Sequence, residues 1–510
     1  MDKRTLLAII LTFLILSLYS FVLTKFYPIE NKKDIAKTSL KSEFAPQKQN
    51  AFSIPSELSP PGKTSEETII IGKHEIVFSL PEGTIKSVYF KGYDHRLSLG
   101  NAFLYQDKPY LPFVMEKTAE AVTFSYTGQA EEIIKRFNFS NSNYSIEIEL
   151  INRNLSDSVQ KSAPQLLLAK IFPSKRNLED RFLEADLFTS KEILRTSIIS
   201  PKKEMGEVMG LKAVGFRDRY FCAILRPLNS LENKAFVRKI TNEGVEIGIS
   251  LGEKEILPHQ ERRERFLLYL GPQDNKELAS LGKEYKEIIY FGTFDPISKV
   301  LLGLLSFFQQ LTHNWGLAVI ILSIFTFIVL YPLTFKQMSS MKQMQTLQPQ
   351  IEQLRIIYKD NPQRLNKEIM ELYRKHKINP LGGCLPLILQ IPIFFSLYQG
   401  LMRSTNLKGA AFLWIKDLSQ PDRLFTLSSS LPVIGNEVNI LPILMAGMMF
   451  VQQRLSMKTA TQANLEQQRI MAVLMPVLFG FIFYHLPGGL VLYWSIHSLL
   501  TLIYQWKVSR

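Results

Sequence analysis

The chain has 510 residues, 46% of them hydrophobic, and a formal net charge of +14 at pH 7. Its two cysteines, Cys222 and Cys384, exclude a cysteine-rich metal site and predict no disulfide. The apolar residues are concentrated near the amino terminus and after Leu317, whereas the stretch between them is polar like a soluble protein. This distribution predicts a membrane-spanning part joined to a soluble domain.

The amino terminus begins with Asp2-Lys3-Arg4, followed by a largely apolar stretch, Leu6–Leu23, that is long enough to cross a bilayer. The residues after it contain no pair of small residues for cleavage. We therefore interpret residues 1–26 as a retained transmembrane anchor rather than a signal peptide. Residues 27–68 are rich in proline and polar residues, which predicts a linker.

Alternation of apolar and polar residues dominates the next 200 or so residues, which is typical of β-strands. The clearest predicted strands are Ile76–Leu80, Thr84–Phe90, Tyr144–Leu150, Val245–Leu251 and Arg265–Leu270. The pattern of Ala279–Tyr290 is helical instead. Residues 69–293 are therefore predicted to form a large antiparallel β-sandwich that ends in a helix.

The carboxyl-terminal part predicts an amphipathic helix lying at the membrane interface, residues 294–313, and five membrane spans. The spans are predicted at residues 314–336, 380–403, 439–453, 470–486 and 490–506, and they are connected by a cytoplasmic helical hairpin (337–379), a periplasmic loop (404–438) and a cytoplasmic loop (454–469). The last two spans have 17 residues each. Helices of that length measure about 25 Å against a hydrocarbon core of about 30 Å, so we expect them to thin the bilayer.

Basic residues predict how the spans are oriented. The connection 336–379 carries nine basic residues against four acidic ones. We place the amino terminus in the cytoplasm and count six spans in total. This connection, the loop 454–469 and the carboxyl terminus then also lie in the cytoplasm, which agrees with the usual excess of positive charge on the inner side of the membrane. The β-sandwich then lies in the periplasm.

The connection between the second and third spans is predicted to be a pair of antiparallel helices of about 20 and 14 residues. Two apolar stripes, interrupted by Asn361-Pro362, would face each other: Met341, Met344, Leu347, Ile351, Leu354 and Tyr358, then Leu365, Ile369, Leu372 and His376. The outside of the hairpin is basic, which is consistent either with a solvated surface or with a docking surface for ribosomal RNA or acidic partners. The docking residues would be Lys342, Arg355, Lys359, Arg364, Lys367, Arg374, Lys375 and Lys377.

Four segments of the carboxyl-terminal part resemble the YidC/Oxa/Alb family of membrane protein insertases. They are NPLGGCLP at 379–386, which continues as LILQIPIFFSLYQ to Gln399; NWG at 314–316 with YPLT at 331–334; WIKDL at 414–418; and PGGLVLYW at 487–494. They occur in the order and at the spacing of that family. The β-sandwich is similar more loosely, through its position, its strand pattern and the sequence LYLGP at 268–272, and indicates the Gram-negative type of architecture.

The resemblance implies a polytopic α-helical membrane protein whose five-helix core encloses a polar groove, open to the cytoplasm and to lipid and closed toward the periplasm. It implies an inner-membrane insertase and chaperone that acts alone or with the Sec translocon, without ATP hydrolysis and without a cofactor. The implied partners are nascent membrane proteins, the ribosome, the Sec translocon, the signal recognition particle receptor and the lipid bilayer. The implied functional unit is a monomer.

The same resemblance assigns site residues in the spans. It places substrate contacts at Cys384, Leu385, Pro386 and Pro392 of the third span, and groove positions at Ser323 and Trp494. From the sequence itself we add further polar lining: Thr326, Gln390, Gln399, Gln452 and Tyr493. Each of these side chains is equally consistent with a hydrogen bond between helices.

One groove position departs from the family. The family usually carries an arginine in the second span, four residues before the aromatic-Pro-Leu-Thr motif, and here that position is Phe327. An arginine there would attract acidic substrate tails and hold water. We therefore hypothesise that this chain depends less on acidic tails than its arginine-bearing relatives do.

Two other classes of function are considered. A transporter or ion channel is consistent with six spans and with a proton relay through His485 and His497, although we favour interface and packing roles for both histidines. The five later spans contain no Asp or Glu, and no inverted repeat is visible. An enzyme, either an intramembrane protease or a sugar-processing sandwich, is disfavoured because the spans lack paired aspartates and a His-Glu-x-x-His helix.

Overall fold

The structure is a computed structural model of the chain. It describes residues 65–72, 74–139, 144–174, 177, 179–199, 205–229, 233–240, 244–359, 361–376, 378, 385–431, 435–457 and 465–509. The predicted anchor at 1–26, most of the predicted linker and the third-span residue Cys384 lie outside the described residues.

Within the described part of residues 65–272, the chain folds mainly into antiparallel β-strands. They are β1 (Ser65–Ile71), β2 (His74–Leu80), β3 (Thr84–Phe90), β4 (His95–Ala102), β5 (Val114–Lys117), β6 (Ala121–Thr127), β7 (Glu131–Phe139), β8 (Ser145–Asn154), β9 (Gln160–Ser162), β10 (Gln165–Ile171), β11 (Glu184–Thr189), β12 (Ile193–Ser197), β13 (Met205–Val208), β14 (Leu211–Arg217), β15 (Phe221–Pro227), β16 (Lys234–Lys239), β17 (Val245–Ser250), β18 (Lys254–Ile256) and β19 (Glu261–Pro272). Each strand named from the sequence coincides with or overlaps an observed strand, and Thr84–Phe90 has identical bounds.

Three sheets enclose the core of this β domain. The largest has nine strands in the order β12-β11-β14-β15-β19-β8-β7-β6-β5, and the other two have the orders β1-β2-β3-β4 and β10-β17-β16-β13. Apolar side chains of all three sheets form one continuous core, in which Phe78, Phe124 and Phe137 are mutually in contact. The predicted antiparallel β domain is therefore confirmed. Its first strand begins at Ser65, so the predicted linker is wrong in its last four residues.

The predicted helix Ala279–Tyr290 is wrong in its bounds. The structure has a shorter helix, α1 (Asn275–Leu281), followed by a 3-10 turn over Lys283–Ile288. Gly282 separates the two with a φ of 147°, a conformation that ends helical hydrogen bonding and that suits glycine.

Eight further helices in the described residues form a helical core and a helical hairpin. They are α2 (Asp295–Thr312), α3 (Trp315–Thr346), α4 (Gln348–Ile357), α5 (Pro362–Lys375), α6 (Leu385–Arg403), α7 (Ile440–Met457), α8 (Leu465–Phe483) and α9 (Gly488–Ser509). A short strand pair, β20 (Phe425–Leu431) and β21 (Gly435–Val438), lies between α6 and α7. One apolar core joins α2, α3, α6, α7, α8 and α9.

The helices extend beyond the predicted spans. Helix α3 continues for 32 residues through Pro332 and past Phe335, because the following Lys, Gln and Met residues are good helix formers. The predicted 20-residue first helix of the hairpin is wrong: it is interrupted at Leu347, and a new helix, α4, begins at Gln348 with Pro349 in its first turn. The predicted 14-residue second helix corresponds to α5.

The last three predicted spans are also shorter than their helices. Helices α7, α8 and α9 have 18, 19 and 22 residues, because helical hydrogen bonding continues into the polar flanks of each apolar segment. Among the described residues, Trp315–Phe335 is the helical segment long and apolar enough to cross a membrane, while Ile440–Leu455 and Ala472–Phe483 are apolar but shorter.

The β domain is fastened to the carboxyl-terminal end of α6. Arg219, whose side chain is almost fully buried, donates hydrogen bonds to the carbonyl oxygens of Met402 and Ser419 and pairs with Glu179 at 2.8 Å. Arg403 donates to the carbonyl of Tyr290 at 2.6 Å and pairs with Glu184 at 3.3 Å. These contacts set the β domain over one end of the helical core.

Candidate functional site

Polar side chains from three helices meet inside the otherwise apolar helical core. Tyr493 on α9 is 1% exposed, and its hydroxyl lies 3.1 Å from the Thr326 Oγ1 on α3. The same hydroxyl interacts with the Gln390 side chain on α6. The structure thus brings together three residues that the sequence predicted as groove lining, and Tyr493 is at their centre.

The two hydroxyl side chains on α3 are partly satisfied by their own helix. Ser323 Oγ donates to the carbonyl of Val319 at 2.7 Å, and Thr326 Oγ1 lies 2.9 Å from the carbonyl of Leu322. Such bonds are common for hydroxyl groups inside helices. Ser323 is fully buried beside this cluster, and we call Ser323, Thr326, Gln390 and Tyr493 the polar cluster.

Gln390 is different from the two hydroxyl residues because part of it has no partner. Its side-chain nitrogen, Nε2, is buried and lies near the Tyr493 hydroxyl, but it forms no hydrogen bond of ordinary geometry, and the residue is only 8% exposed. An amide donor buried without an acceptor costs about 1–3 kcal/mol. The site therefore contains a buried donor that a bound group would satisfy.

Trp494 lies next to the polar cluster in an aromatic group shared by three helices. Its ring is 5.2 Å from that of Phe394 on α6 and 5.6 Å from that of Phe483 on α8, measured between centroids. Phe479 stacks on the same indole at 6.3 Å. This aromatic group is where α6 and α8, the helices of the predicted third and fifth spans, meet.

Phe327, at the position of the family's usual arginine, contacts a residue that the sequence analysis did not place in the site. Its ring lies 5.7 Å from the imidazole of His497, edge to face. The same imidazole is 6.4 Å from the Tyr493 ring and 6.3 Å from Trp494. The signal in the sequence was the spacing of four residues from Tyr493 to His497, which places both side chains on one face of a helix.

The remaining predicted lining and contact residues lie apart from the polar cluster. Gln399 packs against Gly292 where the β domain joins the core, roughly 14 Å along α6 from Gln390. Gln452 is half-buried on α7. Pro392 is half-buried within α6, and its carbonyl accepts a hydrogen bond from Ser396 at 2.6 Å. Leu385 and Pro386 are the first residues of α6, and their side chains are not described.

The predicted docking residues follow the hairpin of α4 and α5. Lys359, Arg364, Lys367, Arg374 and Lys375 are exposed, and Arg355 is half-buried. The side chain of Lys342 and residue Lys377 are not described. The hairpin buries Leu347, Ile351 and Ile378 between its helices, as the apolar stripes predict in part, whereas Ile356, Ile357 and Met370 are exposed.

The segment after α6 covers one end of the helical core. Leu407, Ile415 and Leu418 are buried in the same apolar core as α3 and α9. The amide groups of Gly488 and Gly489, at the start of α9, donate to the carbonyls of Gln420 and Leu418. Asp422 accepts hydrogen bonds from the first amides of α7, at 2.9 and 3.0 Å, and so caps that helix.

In the residues that the structure describes, no group of three His, Cys, Asp or Glu side chains lies close enough to hold a metal ion. The three histidines of the β domain have separate partners: His95 hydrogen-bonds Asp218 at 2.7 Å, His259 contacts Asp157 at 3.1 Å, and the His74 ring packs against Phe90 and Tyr144.

Comparison with known proteins finds relatives along the whole chain. Residues 307–510 match the family described as 60Kd inner membrane protein, and residues 101–304 match the YidC periplasmic domain. The chain is 30% identical over its full length to the membrane protein insertase YidC of Geotalea daltonii, and 31% identical to that of Pelobacter propionicus, and covers 99% of each. A solved structure of an active YidC insertase is similar over 86% of this chain and 92% of its own, at 20% identity and a TM-score of 0.40.

Proposed function

Because this chain belongs to the YidC family of membrane protein insertases, we propose that it inserts transmembrane segments of nascent inner-membrane proteins through a polar groove centred on Tyr493. The observation that carries the groove is the meeting of Thr326, Gln390 and Tyr493 from three helices inside an apolar core. Polar groups in such a position mark the path of a polar substrate more often than a lipid contact.

The lateral side of the proposed groove is the boundary between α6 and α8. Large apolar side chains are exposed on both helices: Ile391 on α6, and Val473, Val477 and Phe481 on α8. In a bilayer these side chains face lipid, and they match the apolar segment of an incoming substrate. The substrate segment slides along α6 and α8 while its polar tail occupies the groove.

The periplasmic end of the proposed groove is closed. Leu407, Ile415 and Leu418 lie across that end of the core, and the amides of Gly488 and Gly489 tie the same segment to α9. A groove closed on this side admits a polar tail from the cytoplasm without opening an aqueous pore. A groove closed at one end is expected of an insertase and not of a channel, so it supports the proposal of an insertase.

The energetics require no nucleotide. Moving a polar tail through hydrocarbon costs several kcal/mol for each unsatisfied backbone group. A hydrated groove and short apolar spans shorten that path, and burial of the substrate's apolar segment supplies about 0.3–0.6 kcal/mol for each strongly apolar residue at its centre. The chain acts as a non-enzymatic insertase.

The orientation of the chain in the membrane follows from the distribution of its basic residues. Both termini and the basic hairpin lie in the cytoplasm, six spans cross the inner membrane, and the β domain lies in the periplasm. Arg364, Lys367 and the other exposed basic residues of α5 then face ribosomes and the acidic surfaces of partner proteins. Among such partners we include the Sec translocon and the signal recognition particle receptor.

The direct test is reconstitution of the purified full-length chain in liposomes with a single-span substrate that carries a short polar tail. We expect protease protection of the tail with and without ATP or GTP, and none in empty liposomes. Leakage of small solutes from the same liposomes in the absence of substrate would indicate a channel. Failure to protect the tail under any condition would contradict the proposed function.

A further inference from the structure

His497 is a half-buried polar side chain without a polar partner in the part of the chain that the structure describes. Among the described residues, no group hydrogen-bonds to either of its ring nitrogens, and the contacts of the imidazole are the rings of Phe327, Tyr493 and Trp494. It lies roughly 14 Å from the start of the 22-residue helix α9, and so near its centre. Its place among these rings gives the imidazole a fixed orientation.

A half-buried imidazole without a polar partner has its hydrogen-bonding groups free to bind a ligand. The neutral ring carries one donor and one acceptor, and each group left unsatisfied in a membrane core is costly. The buried Nε2 of Gln390, on α6, also lacks a well-formed hydrogen bond. The Gln390 side chain lies beside the hydroxyl of Tyr493, which is on α9. The imidazole of His497 thus offers one donor and one acceptor, and the amide of Gln390 offers a further donor. Both side chains lie beside Tyr493.

We propose that His497 and Gln390 form a binding site for the main-chain amides of the translocating polypeptide. A peptide unit offers one carbonyl acceptor and one N–H donor, and this is the complement of a neutral imidazole. Both groups are uncharged, so the site recognises peptide backbone and does not select acidic side chains. The inference rests on the proposed function and assigns the groove residues that contact the substrate.

The aromatic surroundings suit the same ligand. Phe327, Tyr493 and Trp494 provide flat apolar walls on several sides of the imidazole, which exclude competing water and strengthen a hydrogen bond to a bound peptide. With Phe327 in place of an arginine, the site relies on hydrogen-bond donors and acceptors rather than on charge.

The test compares variants of the full-length chain in liposomes, using two substrates that share one apolar segment. One substrate has a polar tail of about 20 residues, and the other lacks the tail; a fully extended tail of that length reaches at most about 70 Å, enough to cross the bilayer.

We expect H497F to lower insertion of the tailed substrate about fivefold, the effect of one lost hydrogen bond, and to leave insertion of the tailless substrate unchanged. H497Q should restore most of the loss, because an amide keeps a donor and an acceptor. H485F is the matched control, since His485 is exposed in the turn that follows α8.

A second measurement does not depend on the activity of the variant. With Cys222 and Cys384 replaced by serine, H497C should form a disulfide with a cysteine in the tail of an arrested substrate, and H485C should not. Equal insertion of the tailed substrate by H497F and the unmodified chain, or no crosslink at position 497, would overturn the inference. If the unmodified chain inserts neither substrate, the proposed function itself fails.

Discussion

Tyr493 shows how much of the site depends on one side chain. Its hydroxyl joins α3 to α9 through Thr326 and reaches Gln390 on α6, while its ring supports His497. The sequence predicted Thr326, Gln390 and Tyr493 as polar residues in apolar helices, and the structure brings them together. Gln399 instead lies at the junction with the β domain. It is nine residues further along α6 than Gln390, and a pattern of polar residues does not show how deep each one lies in the core.

Phe327 is the residue on which tail selectivity depends. We expect the unmodified chain to insert matched acidic and neutral tails with efficiencies within about twofold, and F327R to favour acidic tails several-fold, because a charge in a low-dielectric groove attracts carboxylates strongly. The measurement is the protected fraction of each tail in liposomes. F327Q, which adds polarity without charge, should behave like the unmodified chain. A strong preference of the unmodified chain for acidic tails would contradict the hypothesis.

At the scale of elements, the start of α3 is held by close packing against the segment after α6. A Cβ atom added at Gly316 would overlap the ring of Phe412, whereas one added at Gly447, inside α7, would meet nothing within 4 Å. The two glycines therefore have different physical roles: the first permits close approach, and the second only lowers helix propensity.

G316A and G447A form a matched pair. We expect G316A to destabilise the purified chain by about 1–3 kcal/mol, the usual cost of an overpacked contact. G447A should be neutral or stabilise it by up to about 1 kcal/mol through helix propensity. Denaturant unfolding in detergent, followed by far-ultraviolet circular dichroism, measures both. Equal stability of the two variants would show that Phe412 moves aside at no cost.

The basic helix α5 is an element whose function is separate from the groove. The charge-reversal variant R364E/K367E/R374E/K375E should bind ribosomes at least about tenfold more weakly at low salt, and the difference should shrink as salt rises, because screening weakens exposed charges. Co-sedimentation with ribosomes measures this. K283E/K286E, which reverses two exposed lysines of the β domain, is the control. Unchanged ribosome binding by the first variant would assign α5 a purely solvated role.

The whole molecule is two bodies joined by buried polar contacts. Arg219 is the central one, because a single guanidinium reaches two carbonyls beside the end of α6 and a carboxylate of the β domain. One apolar contact also connects the two bodies, because Leu302 of α2 packs both against a cluster that includes β-domain residues and against the helical core. The relative position of the two bodies is therefore sensitive to a small number of side chains.

Removing this guanidinium should loosen the junction without unfolding either body. We expect R219A to leave the carbonyls of Met402 and Ser419 without their donor, at a cost of about 1–3 kcal/mol, and to raise amide hydrogen exchange in residues 402–420. Mass spectrometry of the exchanged full-length chain measures this. R181A removes an exposed arginine nearby and should leave the exchange unchanged. Identical exchange in R219A would show that packing alone holds the domains together.

The sequence by itself determined the class of every large part: a β domain, because alternation of apolar residues has the period of a strand, and a helical core, because long apolar segments have nowhere to be stable except in a bilayer or a buried core. Its motifs also determined the family. Only the tertiary structure decided which polar residues meet, where α1 and α3 end, and that Phe327 lies beside His497. Periodicity specifies the face of a helix, whereas the partner of that face depends on how separate helices pack, and packing distances are not encoded in any local pattern.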